Sequence, residues 1–417
     1  MSDHVKNFPT SDPTWDLESI FSGGPDSKAF VEAIDDLSAR VVKLREQADG
    51  LPSPEKAGFE DGGPERWVDF FAAKDEFLKD FGDARVFAGG MASSMADNPR
   101  ALRLPSLLND VWMHFDSLMV IIKTGLRGIS DEAFETLRGA EGLGHADLML
   151  RELRRDADQS MEPELEMLAV QLNRDGLYGW AQLYQEVSSR LSVDVVDESG
   201  QSRTLSVGQA KNLLEHPERE MRRRAYEGLR KAWSGAAPVC ASALNSIIGS
   251  EQTLYRRRGT DELTHPLNSN RVSRKTIDAM HEAARGFQPL LVEYMNLKAR
   301  LMGVEKLDWY DLHAPLTSGE GKKVSYEEAQ RFISEQAEDF SSDIAEFCRH
   351  ALANQWVEVE DRPGKGQGGY CATLPGKKEV RIFMTFGGTA SGVTTLAHEL
   401  GHGYHAWVMR DLPASQH

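Results

Sequence analysis

Five residues near the C-terminus have the types and spacing of a metal-assisted acid–base centre: His398-Glu399-Leu400-Gly401-His402. Residues four apart in an α-helix lie one above the other on the same face. His398 and His402 can therefore offer two imidazole nitrogens to one metal ion. Glu399, next to the first, projects its carboxylate beside such an ion rather than into it. From there it can accept a proton from water on the metal. Zinc suits this chemistry because it brings the pKa of its water toward neutrality, and a Glu base then frees a hydroxide to attack a peptide carbonyl. The competing reading is two histidines satisfied by hydrogen bonds on a buried helix. With 12 His in 417 residues, an H-E-x-x-H arises by chance in roughly 1% of such chains, so the surroundings of the motif matter.

Those surroundings predict a helix. Ser391-Gly392 can cap it, Val393–Ala397 lead into the histidines without a breaker, and the pattern continues through Trp407 to Arg410 before Pro413 ends it. Upstream, Val380, Ile382, Met384 and Phe386 alternate with Arg381, Phe383 and Thr385, predicting an edge strand over 379–386 that finishes in Gly387-Gly388. Such a strand can pair with an extended peptide, which makes Gly387 and Gly388 candidate substrate-binding residues. His405, seven residues after His398, shares its stripe and reads as lying beside a ligand or on the substrate side, the alternative being a packed helix residue. The metzincin pattern needs Gly at 405 and His at 408, where this chain has His405 and Val408, so that class is excluded. The remaining arrangement is two His and a Glu from a following helix. Residues 403–417 contain no Glu, and their one carboxylate is Asp411. The third ligand is therefore expected beyond residue 417.

Most of the remaining chain reads as amphipathic helix. Over 276–302, Ile277, Met280, Ala284, Phe287, Leu291, Met295 and Leu301 or Met302 form one apolar stripe, interrupted by Pro289 and closed by Gly303. Ser325 with Glu328 and Ser206 with Gln209 make capping boxes, and Pro217 suits the first turn of a helix through Trp233. Val193–Val196 and Arg203–Leu205 flank Asp197-Glu198-Ser199-Gly200 as a hairpin. A short strand is expected over 356–360, followed by a Gly-rich loop from Pro363 to Gly369. The hairpin marks the expected domain cut, giving an N-terminal helical lobe over 1–200 and a catalytic domain over 201–417.

Composition excludes some partners. A formal charge of −17, from 65 acidic against 48 basic residues, repels phosphate backbones and anionic membranes, so neither nucleic acid nor membrane is an expected partner. Arg222-Arg223-Arg224 and Arg256-Arg257-Arg258 read as solvated helix faces. No apolar run reaches 18 residues, and the N-terminus lacks secretory features. Three scattered cysteines, Cys240, Cys348 and Cys371, fit a reducing cytoplasm. Cys371 is read as a packing residue because nothing nearby activates it.

The stretches Met384-Thr385-Phe386-Gly387-Gly388-Thr389 and Thr395-Leu396-Ala397-His398-Glu399-Leu400-Gly401-His402-Gly403-Tyr404-His405 resemble the oligoendopeptidase F branch of the thimet-oligopeptidase-like zinc peptidases. Trp15-Asp16-Leu17 with Ile20-Phe21, Tyr255–Pro266, Trp309–Pro315 and Gly368-Gly369-Tyr370-Cys371 resemble the same family. The resemblance implies a mainly α, multi-helical, zincin-like bowl closed around a channel for short oligopeptides, with a small β-sheet beside the metal-motif helix. It implies one Zn2+ held by His398, His402 and a Glu of the next helix, with Glu399 as general base. It also implies oxyanion-stabilising His and Tyr residues in a later segment, absent from these 417 residues. The chain is thus expected to be C-terminally incomplete, weak in zinc affinity and impaired as a peptidase. The alternative is a non-catalytic peptide-binding protein on a peptidase scaffold.

Overall fold

The computed structural model describes residues 12–56, 59, 61–316, 323–366, 368–413 and 416. The described chain is mainly helical, with two small sheets. Its elements run α1 (Lys28–Asp49), α2 (Gly63–Ser94), α3 (Pro99–Leu107), α4 (Asn109–Arg127), α5 (Asp131–Arg138), α6 (Asp147–Asp158), α7 (Pro163–Asp175) and α8 (Leu177–Ser189). The hairpin β1 (Ser192–Val196) and β2 (Ser202–Ser206) follows, then α9 (Val207–Asn212), α10 (Arg219–Arg258), α11 (Thr264–Ser269) and α12 (Arg274–Leu301). The last stretch holds α13 (Tyr326–Phe340), α14 (Ser342–Ala353), β3 (Val357–Glu358), β4 (Tyr370–Leu374), β5 (Glu379–Phe383) and α15 (Ala390–Met409).

The chain divides into two compact units, one made of Met1–Gln182 with Val324–His417 and the other of Leu183–Lys323. A single cut at residue 200 therefore does not describe it. The hairpin fails as a boundary because Val193 and Val195 bury their side chains with Val207, Ala210, Met221 and Leu229, joining the elements that follow. The C-terminal stretch packs instead with the N-terminal helices: Leu374 of β4 and Phe383 of β5 enter the same core as Phe30, Phe71, Phe77 and Phe87.

In the second unit, the hairpin forms as expected, with Val193 opposite Leu205 in antiparallel register. Asp197 Oδ1 accepts the N–H groups of Ser199 and Gln201, and Gly200 supplies the positive φ of 84° that closes the turn. Both capping boxes are present, at Ser206–Gln209 and at Ser325–Glu328, the second of these in the first unit. Two expectations are corrected. Helix α10 begins after an N-cap at Glu218 and runs through Pro238 to Arg258, so Pro217 lies outside its first turn. Arg222 is not a solvated residue but is 1% exposed, because its guanidinium reaches Asp311 and three backbone carbonyls. Arg223 and Arg224 do lie outward, paired with Glu220. Helix α12 ends at Met302 with Gly303 at φ 71°, as its sequence implied. Its apolar stripe, however, is exposed, with Phe287 at 61%.

In the first unit, the three-stranded sheet has the order β3-β5-β4, with β3 parallel and β4 antiparallel to β5. The strand before the metal motif is thus central, not an edge, and β5 has no free ladder to give a peptide. Both its faces are buried: Phe383 enters the aromatic core, while Val380, Ile382 and Met384 enter a second core with Phe347, Leu396 and Leu400. The β3 ladder continues beyond the strands, since Met384 N donates to Glu358 O and Phe386 N to Val359 O. On the other side, Val359 N donates to Pro13 O, which closes that edge.

Asp83 of α2 holds the β4–β5 turn by accepting the Gly376 N–H at 3.0 Å. Burial pushes its carboxyl up to about 6, against the lowering by the Gly376 and Lys377 N–H groups. Between about pH 4 and 6 the folded chain then binds more protons than the unfolded one, so this group stabilises on acidification and loses that contribution as pH rises through 6. Asp116, raised to about 6 mainly by burial, acts in the same direction. Urea unfolding should accordingly show stability rising from pH 7 to 5 by on the order of 1 kcal/mol per carboxyl, with Asp83→Asn removing about half of the rise. An unchanged slope in the variant would rule Asp83 out as its source.

Candidate metal centre

Helix α15 owes its orientation to two stripes. Leu396, Leu400, Gly403 and Ala406 are buried, packing toward β5 and α14. Gly403 is required there: a Cβ at that position would stand 2.8 Å from the Phe347 ring. The helix is capped by Thr389, whose Oγ1 accepts the Gly392 N–H at 3.0 Å, two residues earlier than the expected Ser391-Gly392 cap.

This packing leaves His398, His402 and His405 on the exposed side. His398 Nε2 and His402 Nε2 stand 3.0 Å apart, with the rings 4.6 Å between centroids and nearly perpendicular at 89°. The reading of two core histidines does not fit, because both imidazoles are exposed and their nitrogens face each other. The spacing suits a shared cation: the edge of a tetrahedron with bonds of about 2.05 Å is roughly 3.3 Å. His405 lies ~10.5 Å along the axis from His398 by helical rise.

Glu399 is the exception on the buried side, 7% exposed. A methyl group on Gly369 would stand 3.5 Å from Glu399 Oε1, 3.4 Å from Phe383 O and 3.7 Å from Met384 Cβ. The carboxylate therefore lies beside Gly369, which itself sits next to the end of β5. Cys371 of β4 shares this environment, and burial, then the Glu399 charge, pushes its thiol up to about 12. It is an inert, packed thiol, as read from sequence.

Gly387 and Gly388 link β5 to α15, and Gly388 has φ 72° while its carbonyl accepts the Val324 N–H at 3.0 Å. They lie between the sheet and the metal helix rather than on a free strand edge. Asp411 is taken up by Lys378, whose Nζ donates to Oδ1 at 2.6 Å. Among the described residues, no group of three His, Cys, Asp or Glu side chains is arranged to hold a metal. Nor is any described helix long and apolar enough to cross a membrane. The sequence drew attention to Gly368-Gly369 but not to Gly369 as the wall behind Glu399; the run of glycines was the only signal.

Comparison with known proteins covers much of the chain. The family model described as Peptidase family M3 matches residues 212–415, and that described as Oligopeptidase F matches residues 126–192. Oligopeptidase PepF of Bacillus subtilis is 26% identical over 52% of this chain and 32% of its own length. The chromosomal oligoendopeptidase F of Lactococcus lactis subsp. cremoris is 27% identical over 52% of this chain and 36% of its own. The matched region thus spans about a third of the length of these curated relatives. A solved structure described as a putative oligoendopeptidase F from Bacillus anthracis superposes with a TM-score of 0.70 and 17% identity, over 91% of this chain and 66% of that one.

Proposed function

Because the chain belongs to the oligopeptidase F branch of peptidase family M3, we propose that it serves a zinc-dependent hydrolysis of peptide bonds in short oligopeptides, centred on His398, Glu399 and His402. The observation that supports this most is the pair of imidazole Nε2 atoms 3.0 Å apart on an exposed helix face, with a buried carboxylate at the intervening position. The relatives bear oligopeptidase and oligoendopeptidase names. Three free cysteines and the absence of a membrane-crossing helix among the described residues accord with a reducing, cytoplasmic setting.

In this reading His398 and His402 would hold the ion. Zinc, when bound, supplies Lewis acidity toward the peptide carbonyl and acidifies water. Glu399 takes the proton of the attacking water on a carboxylate oxygen and returns it to the departing amine nitrogen. Its burial beside Gly369 limits its access to bulk water. Two imidazoles are a small donor set for zinc. We therefore assign weak metal affinity to the described residues alone, and low activity unless a further donor completes the set. A binding protein without catalysis remains the second reading, for the same reason of donor count.

Removing one imidazole tests the site directly. Loss of an outer hydrogen-bond partner of a ligand already costs about 10–100-fold in affinity, so His402→Ala should weaken zinc binding on the order of 100-fold or more. Competition against a chromophoric chelator measures it, and circular dichroism checks the fold. Equal affinity in the variant would place zinc elsewhere.

A further inference from the structure

Between the third and fourth strands lies Pro363-Gly364-Lys365-Gly366, a segment that the metal centre does not use. Lys365 is 5% exposed. Its Nζ donates to Met384 O at 2.6 Å and to Glu360 O at 2.9 Å, and stands 3.3 Å from Glu358 Oε1. It also lies 4.8 Å from the centre of the Phe383 ring. Burial draws the amine down to about 8, against the raising effect of Glu358. Burying an ammonium group is costly unless its hydrogen bonds are completed, and here they are spent on backbone carbonyls.

The loop is built to deliver this lysine. Gly366 N donates to Ser93 O and Ala96 N donates to Gly364 O, both at 2.7 Å, which pins the loop to the end of α2. Gly364 has φ 75°, and a Cβ there would stand 2.6 Å from Asp97 Oδ2. A Cβ on Gly366 would stand 3.2 Å from Ser93 O. Only glycine permits such an approach at 364. The same loop ends in Gly369, the residue behind Glu399 Oε1, and Met384 directly follows β5 on the way to Gly387-Gly388 and α15.

We propose that Lys365 is a positioning residue for Glu399. By holding the Met384 carbonyl it fixes the Phe383–Met384 backbone beside Gly369, and through it Gly369, next to which Glu399 Oε1 lies. This rests on the peptidase reading of Glu399, but the geometry it asserts is testable without catalysis. A misplaced general base loses rate more than substrate affinity, and about 1 Å of misplacement costs on the order of 100-fold.

Lys365→Met keeps the volume and removes the donors. Glu358→Gln removes the ion pair and leaves the Lys365–Met384 bond. Hydrogen exchange of the 417-residue chain, followed by mass spectrometry, should show the Met384 and Phe386 amides exchanging about tenfold faster or more in Lys365→Met. The α15 amides across 398–402 should keep their protection, and Glu358→Gln should resemble the parent. With zinc saturating and an internally quenched oligopeptide, kcat should fall about 10–100-fold in Lys365→Met with KM within about twofold. Unchanged exchange at 384–386 overturns the proposal, as does an equal kcat loss in Glu358→Gln. If the parent chain cleaves no peptide, which a set of only two imidazole donors allows, the exchange data alone decide the role of Lys365.

Discussion

Replacing Glu399 with Gln is expected to lower oligopeptide cleavage by the zinc-saturated chain about 10²–10⁴-fold, the range supplied by a positioned proton acceptor. The amide is nearly isosteric with the carboxylate, so the 7%-exposed site beside Gly369 should keep its packing. It has no basic oxygen to take a proton from water. His398 and His402 stay on the neighbouring, exposed stripe of α15, so zinc affinity should fall at most about tenfold, the low end of what altering a group near a ligand costs. Steady-state cleavage of a quenched peptide, run beside a zinc titration of the same preparation, makes the comparison. A variant that keeps most of its kcat would sink the general-base assignment. One that loses zinc as well would show Glu399 acting on the metal set instead.

The second large effect is structural. Arg222 and Asp311 are both buried in the Leu183–Lys323 unit, with an Nη2–Oδ1 distance of 3.1 Å. Arg222 Nη1 also donates to His216 O and Pro217 O, and Nε donates to Tyr310 O. One side chain thus ties the start of α10 to the 309–314 turn. Breaking one partner of a buried pair costs about 3–5 kcal/mol, because a charge and several carbonyls remain without a donor. Arg219 still holds Asp311 at 2.8 Å, so Arg222→Met should fall near 3 kcal/mol. Urea unfolding gives the free energy, and faster exchange at the amides of 309–314 would locate the damage. A loss below about 1 kcal/mol would mean that Arg219 alone satisfies Asp311.

Much of the local structure was legible in the residues. Hairpin Asp197–Gly200, both capping boxes, Gly303 and the helix carrying His398 and His402 follow from interactions within a few positions of the chain, where side-chain type and spacing suffice. Less legible were features made by partners far apart in sequence. The alternation over 379–386 predicts a strand but cannot say how many neighbours it has; the parallel pairing with Val357–Glu358 and the antiparallel pairing with 370–374 made it central. An arginine triplet reads as solvated charge until Asp311, 89 positions away, buries one member.

At the candidate metal centre the division follows the same physics. The i, i+4 spacing by itself determined that His398 and His402 share a face and that Glu399 projects beside it, since helical periodicity needs no further information. Tertiary structure decided which face is exposed, through the burial of Leu396, Leu400, Gly403 and Ala406 against β5 and α14. It also decided that Glu399 meets Gly369, 30 positions earlier. Contacts of that range depend on how the sheet and loop are brought together, and one chain's local pattern carries no record of them.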